Sequence, residues 1–181
     1  MEKTPEEVQS SKPEEPVEKV KIELSDVSYR CYEKTDSIHG LIKMIETELS
    51  EPYSIFLYRY FLENFPGLTI MAIYKDEIIG VIIGKVEDHG KRLRGYIAML
   101  TVLKKYRGNG IALELVNKLC QKTEEMGGHE IILETECVNI AALKLYDKAG
   151  FMREKKLRKY YQNGNDAYRL KKYTSKLDKK K

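Results

Sequence analysis

Seven residues in the middle of the chain, Tyr106-Arg107-Gly108-Asn109-Gly110-Ile111-Ala112, have the composition of an anion-binding turn. They follow an apolar run, Gly95 to Val102, and lead into a segment with Ile111, Leu115, Val116 and Leu119 at helical spacing, which places them at a strand-to-helix step. The first N–H groups of a helix have no partner inside it, and Gly108, Gly110 and Ala112 let a pyrophosphate approach them closely. Arg107 adds a fixed positive charge. With no Gly-Lys-Ser/Thr the turn is not a P-loop, nor does it match the three-glycine dinucleotide fingerprint. The alternative for the same residues is a left-handed turn capping an ordinary helix.

Other chemistry-bearing types are scattered. Cys31, Cys120 and Cys137 are odd in number and far apart, which suits reduced thiols better than a disulfide framework or a zinc site. His39, His89 and His129 have no His-x-x-x-His or Cys-x-x-Cys spacing to unite them. No metal is implied.

The elements that must position the turn can be read along the chain. Val20 to Leu24 alternates and Val27 to Tyr32 is rich in strand formers, so a first strand is expected within residues 20–33. Asp36 or Ser37 can cap a helix to about Leu49, and Pro52 ends it. Ser54 to Phe65 reads as a second helix, stopped by Pro66-Gly67. Leu68–Tyr74 and Ile78–Val86 form a hairpin around Lys75-Asp76-Glu77, and Arg92–Leu103 is a third long strand. After the turn comes a helix closed by Gly127-Gly128. Glu130–Glu136 follows as a strand covered on both faces, then a short helix from Asn139 to Ala149. Phe151–Tyr161 and Ala167–Lys172 are the last two strands, joined through Asn163-Gly164. The class is α/β (α+β), with no internal repeat.

A chain of 181 residues that is 42% hydrophobic supports one core. Residues 1–19 hold six glutamates and three prolines and are expected to be a disordered acidic extension. The domain spans 20–173, and 174–181 form a basic C-terminal tail. That tail is expected to solubilise, with ribosomal RNA as the alternative partner. No apolar stretch approaches a membrane span and the N-terminus lacks a signal peptide's apolar core, so the expectation is a soluble cytoplasmic protein without membrane contact.

Arg107-x-x-Gly110-x-Ala112 resembles the acetyl-CoA pyrophosphate loop of the GNAT acetyltransferases. From Leu49 to Leu170 the chain resembles one branch of them, the catalytic subunits of the N-terminal acetyltransferase C complex, NatC. The resemblance rests on Leu49-Ser50-Glu51-Pro52-Tyr53-Ser54, Tyr58-Arg59-Tyr60-Phe61, Arg94 to Leu100, Leu133-Glu134-Thr135-Glu136, Asn139 to Tyr146, and Tyr160-Tyr161. It covers roughly two thirds of the chain, and it implies the GNAT fold, a mixed central sheet splayed around acetyl-CoA and flanked by helices.

The reaction implied moves an acetyl group from a thioester to an amine. An α-amino group titrates near pKa ~8 and must lose a proton to attack. Glu134, at the end of an apolar strand, is the best-placed base, directly or through a water, with Glu136 of the same side-chain parity as fallback. The bland reading of Glu134 is a strand-end carboxylate paired with a lysine. Tyr146 fits a general acid for the departing thiolate, and it stands two helical turns after Asn139, which the family uses on the cofactor. Without a family, Tyr146 would be a core aromatic. Backbone N–H groups near Leu100 and Val102 would stabilise the oxyanion, so Leu100, Thr101, Val102, Arg107, Gly108, Asn109, Gly110, Ile111, Ala112, Asn139 and Tyr146 form the expected cofactor set. Cys137, lacking a histidine partner, is a bystander.

Substrate selection is expected from Leu49, Glu51 and Tyr53 facing Tyr96, Tyr160 and Tyr161 across an apolar and phenolic groove. Such a groove suits a nascent-chain N-terminus of methionine followed by a bulky hydrophobic residue. The rivals are a GNAT acting on lysine or a small amine, and a non-catalytic CoA-binding or ribosome-docking module. The resemblance further implies a large auxiliary subunit and a small Sm-like subunit as partners.

Overall fold

The computed structural model describes residues 17–48, 53–90 and 92–174. The elements, in chain order, are β1 (Ser28–Cys31), α1 (Ile38–Glu48), α2 (Ile55–Asn64), β2 (Thr69–Tyr74), β3 (Glu77–His89), β4 (Arg92–Val102), α3 (Ile111–Glu125), β5 (Glu130–Glu136), α4 (Ile140–Lys148), β6 (Met152–Leu157) and β7 (Ala167–Tyr173). They build one seven-stranded sheet in the order β1-β2-β3-β4-β5-β7-β6. This is the element order the sequence predicts.

Alternation along the strands separates two cores. Ile70 and Ala72 of β2 face α3, joining Leu115, Leu119 and Ile131; Met71, from the same strand, faces the other way with Val81, Ile83, Tyr58 and Ile45 of the α1–α2 side. No described helix is long and apolar enough to cross a membrane.

One irregularity shapes the middle of the sheet. Ile83 pairs with Met99 while its neighbour Gly84 pairs with Ile97, so Ala98 is an extra residue in β4. The bulge flips parity: Ile97 lies in the α3-side core and Met99, two residues on, in the α1–α2 core. Gly84 is required here, because a Cβ would stand 2.7 Å from the Leu119 side chain and 2.8 Å from the Tyr96 carbonyl. β4 and β5 run parallel and pair only at Arg94–Glu130, Gly95–Ile131 and Tyr96–Ile132. Beyond Tyr96 the strands diverge.

The first strand begins late in its expected window, and one predicted strand, the sixth, is shorter than expected. The alternating residues Val20–Leu24 have no strand to join, because β1 opens its register at Ser28 opposite Ile73 and β2 ends one residue later at Tyr74. They run instead as a strap outside the sheet, which enters a 3-10 turn at Leu24–Asp26. The strand expected over 151–161 ends at Leu157, since Lys159 takes a left-handed φ of 48° that no strand accommodates. Tyr160 and Tyr161 therefore sit on the β6–β7 loop. Of the termini expected to be acidic and basic, residues 1–16 and 175–181 lie outside the described residues.

Candidate active site

The diverging strands leave backbone groups without a neighbour. The Leu103 N–H donates to the Ile79 carbonyl, so by antiparallel alternation Thr101 and Met99 also bond to β3 while Leu100 and Val102 point their peptide groups into the gap. The Val102 carbonyl accepts from Arg107 Nε at 2.9 Å. Thr101 is buried, and its hydroxyl has no partner. These residues wall a cavity of about 520 Å³, whose far side is Asn139, Ala142, Leu145 and Tyr146 of α4.

The predicted phosphate turn forms the mouth of this cavity. Gly108 and Gly110 have φ of 91° and 84°, a region that suits glycine, and Gly110 is the N-cap of α3 with no side-chain acceptor. Among the described residues no acceptor meets the N–H groups of Gly108 through Leu113. A row of unspent donors at the start of a 15-residue helix is the arrangement that favours an anion. Gly108, Gly110, Ile111 and Ala112 line the cavity.

Two residues of the expected cofactor set are spent differently. Asn109 does not line the cavity: its amide donates to the Tyr106 and Val20 carbonyls at 3.0 and 2.8 Å, and accepts from the Ile22 N–H at 3.3 Å. Arg107 lines it, but Nη2 pairs at 2.6 Å with Glu48, the last residue of α1. The Glu48 carboxylate, 6% exposed, also accepts the Lys104 N–H at 3.2 Å. Nothing in the sequence marked Glu48.

A second cavity, of about 500 Å³, opens on the other stretch of β4. Tyr96, Ala98 and Met99 line it, with Tyr53 and Leu57 from the α2 region, Lys85 from β3, Glu134 from β5, and Tyr160 and Tyr161 from the β6–β7 loop. The structure thus brings Tyr53, Tyr96, Tyr160 and Tyr161 together, as expected; Leu49 and Glu51 lie outside the described residues. The Tyr160 and Tyr161 rings meet edge to face at 5.2 Å. Burial pushes the Tyr161 phenol up, and burial with the facing Glu134 carboxylate does the same to Tyr96.

Glu134 and Tyr146 line different cavities, on the two sides of the gap. Glu134 has a partner, Arg169, whose Nε donates to Oε1 at 2.6 Å from the facing position on β7. The carboxylate is 4% exposed; Oε1 is fixed by this charge-assisted bond, and the Tyr96 phenol hydrogen-bonds the same carboxylate. Arg169 is a residue the sequence did not reveal, because only the β5–β7 register opposes the two. Glu136, the fallback base, is committed elsewhere: its two oxygens accept from Asn163 and Asn165 at 2.9 and 3.3 Å, tying down the tyrosine loop. Tyr146 is buried edge-on to Phe151 at 5.5 Å, and burial pushes its phenol well above the usual range. Asn139 caps α4 through Oδ1, which accepts the Ala142 N–H at 3.0 Å. The thiols of Cys31, Cys120 and Cys137 are free, and among the described residues no cluster of His, Cys, Asp or Glu could hold a metal.

The acetyltransferase (GNAT) family model matches residues 35–151. The chain belongs to the GNAT acetyltransferase family. GNAT enzymes take acetyl-CoA, and the divergent strands, the gap-facing Leu100 and Val102 N–H groups and the free donors of the turn fit that cofactor. Among relatives, the chain is 44% identical over 154 residues to the N-alpha-acetyltransferase MAK3 of Arabidopsis thaliana, covering 85% of this chain and 81% of that one. It is 47% identical over 146 residues to human N-alpha-acetyltransferase 30, covering 80% of this chain but only 40% of the human protein. A chain of the NatC complex crystallised with Gag peptide and CoA superposes with a TM-score of 0.79 at 40% identity, over 83% of this chain and 99% of that one. The chain therefore stands in the N-α-acetyltransferase branch of GNAT. Tyr160 and Tyr161 lie beyond the stretch that the general GNAT model matches.

Proposed function

We propose that this chain is a NatC-type catalytic subunit that transfers acetyl from acetyl-CoA to the α-amino group of chains starting with methionine and a bulky hydrophobic residue. The observation that carries this reading is the pair of cavities meeting at the bulged strand β4, with a fixed carboxylate in one and a buried phenol in the other. When bound, acetyl-CoA supplies an activated thioester. Glu134, held by Arg169, takes the proton of the incoming amine, directly or through one water. The Leu100 and Val102 N–H groups face the gap, where negative charge develops on the carbonyl oxygen. Tyr146, kept protonated by its burial, delivers a proton to the departing sulfur. Gly108, Gly110, Ile111 and Ala112 hold the pyrophosphate, while Asn139 and Thr101 line its approach.

The second cavity reads the peptide. Its walls are aromatic, and burying a leucine-sized second side chain there is worth about 1.5–3 kcal/mol. The Tyr160–Tyr161 loop closes the groove beyond the amine, which favours a chain end over a mid-chain lysine. Ile55 and Phe56 stand exposed at the start of α2, and Phe56 is 75% accessible, which leaves apolar surface for the large auxiliary subunit. A small Sm-like subunit, ribosome contact and a cytoplasmic location complete the reading, by analogy with the NatC complex.

The test is a panel of peptides incubated with acetyl-CoA and read by mass spectrometry. Met-Leu, Met-Ile and Met-Phe starts should be acetylated at least ten-fold faster than Ser-Glu or Met-Glu starts, as the burial energy requires. Internal lysine should hardly react. Equal rates on Met-Leu and Ser-Glu would defeat the substrate assignment, and faster lysine acetylation would replace it with the rival one.

A further inference from the structure

The outer face of the phosphate-binding turn is covered by a segment outside the matched family region. Residues Val20–Glu23 cross behind it as a non-strand segment that enters a 3-10 turn at Leu24. The Val20 N–H donates to the Lys105 carbonyl at 2.8 Å, the Val20 carbonyl accepts from Asn109 Nδ2 at 2.8 Å, and the Ile22 N–H donates to Asn109 Oδ1 at 3.3 Å. Leu24 lies under the helix cap, 3.3 Å from where a Cβ on Gly110 would stand. Asn109 sits between the two left-handed glycines and spends both ends of its amide here, adding a bond to the Tyr106 carbonyl that closes the turn.

We propose that the strap Val20–Leu24 sets the affinity for acetyl-CoA, acting through Asn109 as a positioning residue that holds the turn in its anion-binding shape. The inference rests on reading this turn as the pyrophosphate site. Glycine is the residue with most conformational freedom to lose, and Gly108 and Gly110 flank a single residue. Among the described residues, the only side-chain hydrogen bonds to residues 108–110 are those made by Asn109 itself. If releasing the strap leaves the turn in its binding-competent geometry about a tenth of the time, the apparent affinity falls about ten-fold without any lost ligand contact. The strap touches neither the peptide cavity nor Glu134, so the peptide side has no reason to change.

The test uses the 181-residue chain and calorimetric titration with acetyl-CoA, alongside steady-state kinetics. Ile22→Pro removes one N–H donor from the strap side, and Asn109→Ala removes the side chain it meets. Each should raise the acetyl-CoA Kd and KM about ten-fold, leaving the peptide KM within about two-fold. The double variant should be no weaker than Asn109→Ala alone, because the bond lost in Ile22→Pro is one of the three lost in Asn109→Ala; a purely structural role would lower Tm without this pattern. Gly110→Asp serves as reference, placing a carboxylate and a strained backbone among the phosphates. Unchanged Kd in both strap variants, with Gly110→Asp unable to bind, overturns the strap alone. Unchanged Kd in Gly110→Asp overturns the turn as the pyrophosphate site.

Discussion

The two cavities beside β4 are similar in size but opposite in construction. The proposed cofactor cavity is lined from two continuous stretches, 100–113 and 139–148, with Glu48 the one outside addition, and it has gap-facing peptide groups, two glycines and three alanines among its aliphatic and polar side chains. The proposed peptide cavity is lined by side chains, five of them tyrosines with Glu134 the one carboxylate, contributed by five separated segments: 53–61, Lys85, 96–99, Glu134 and 160–162. A cofactor common to the whole family can be held by backbone, whose geometry survives side-chain change. A selective groove has to be built from side chains, because selectivity is a difference in what those side chains bury.

The largest break in this comparison should come from the residues that straddle it. Glu134→Gln keeps the shape and the bond to Arg169 but removes the base, and it should lower kcat by about a hundred- to ten-thousand-fold, the span of general acid–base catalysis. Tyr146→Phe should cost roughly ten- to a thousand-fold by the same argument. Since the two line different cavities, two-substrate kinetics should leave the acetyl-CoA KM intact in the first and the peptide KM intact in the second. Wild-type turnover in Glu134→Gln would move the base to bulk water. Because the folded environment raises the Tyr146 pKa, its proton is present throughout the working range and lost only far above it. The rate should therefore climb between about pH 6 and 9 as the substrate amine deprotonates, with no alkaline fall from Tyr146.

A smaller effect is expected from Tyr161→Ala. Opening that wall should reduce the Met-Leu over Met-Glu preference about five- to ten-fold, equivalent to about 1–1.4 kcal/mol of lost burial, at unchanged acetyl-CoA affinity. An intact preference would mean that the β6–β7 loop closes the groove without reading the second residue.

The smallest effect sharpens the cofactor side. Glu48→Gln removes a negative charge from the cavity wall and keeps an acceptor for only one of its two donors, Arg107 Nη2 and the Lys104 N–H, which sit on different carboxylate oxygens. Affinity for the anionic cofactor should rise about two- to five-fold, more at low salt, as Coulomb interaction and its screening require. A weaker Kd would show instead that the ionised pair is what aims Arg107 at the phosphates.

Much of this was readable from residue types. The glycine turn, the apolar strand ending at Glu134 and the Asn139-to-Tyr146 helix are local patterns, and local patterns carry their own geometry: left-handed φ at Gly108 and Gly110, alternation along β5, helical spacing in α4. The start of the first strand within 20–33 stayed open and the boundary at 158–161 misled, because alternation and strand-forming residues do not say whether a neighbouring strand exists to pair with. Only the end of β2 and the bend at Lys159 decide that.

The sequence by itself determined the order of elements, the phosphate turn, the acid and base candidates and the aromatic character of the groove, since each depends on spacing within one segment. The tertiary structure alone decided that Arg169 orients Glu134, that Glu136 anchors the tyrosine loop, that Glu48 holds Arg107, and that Asn109 faces the strap rather than the cavity. Each of these is a contact between residues 27 to 89 positions apart. Such a contact is fixed by strand register and helix packing, and no local pattern encodes which distant side chain register and packing will bring alongside.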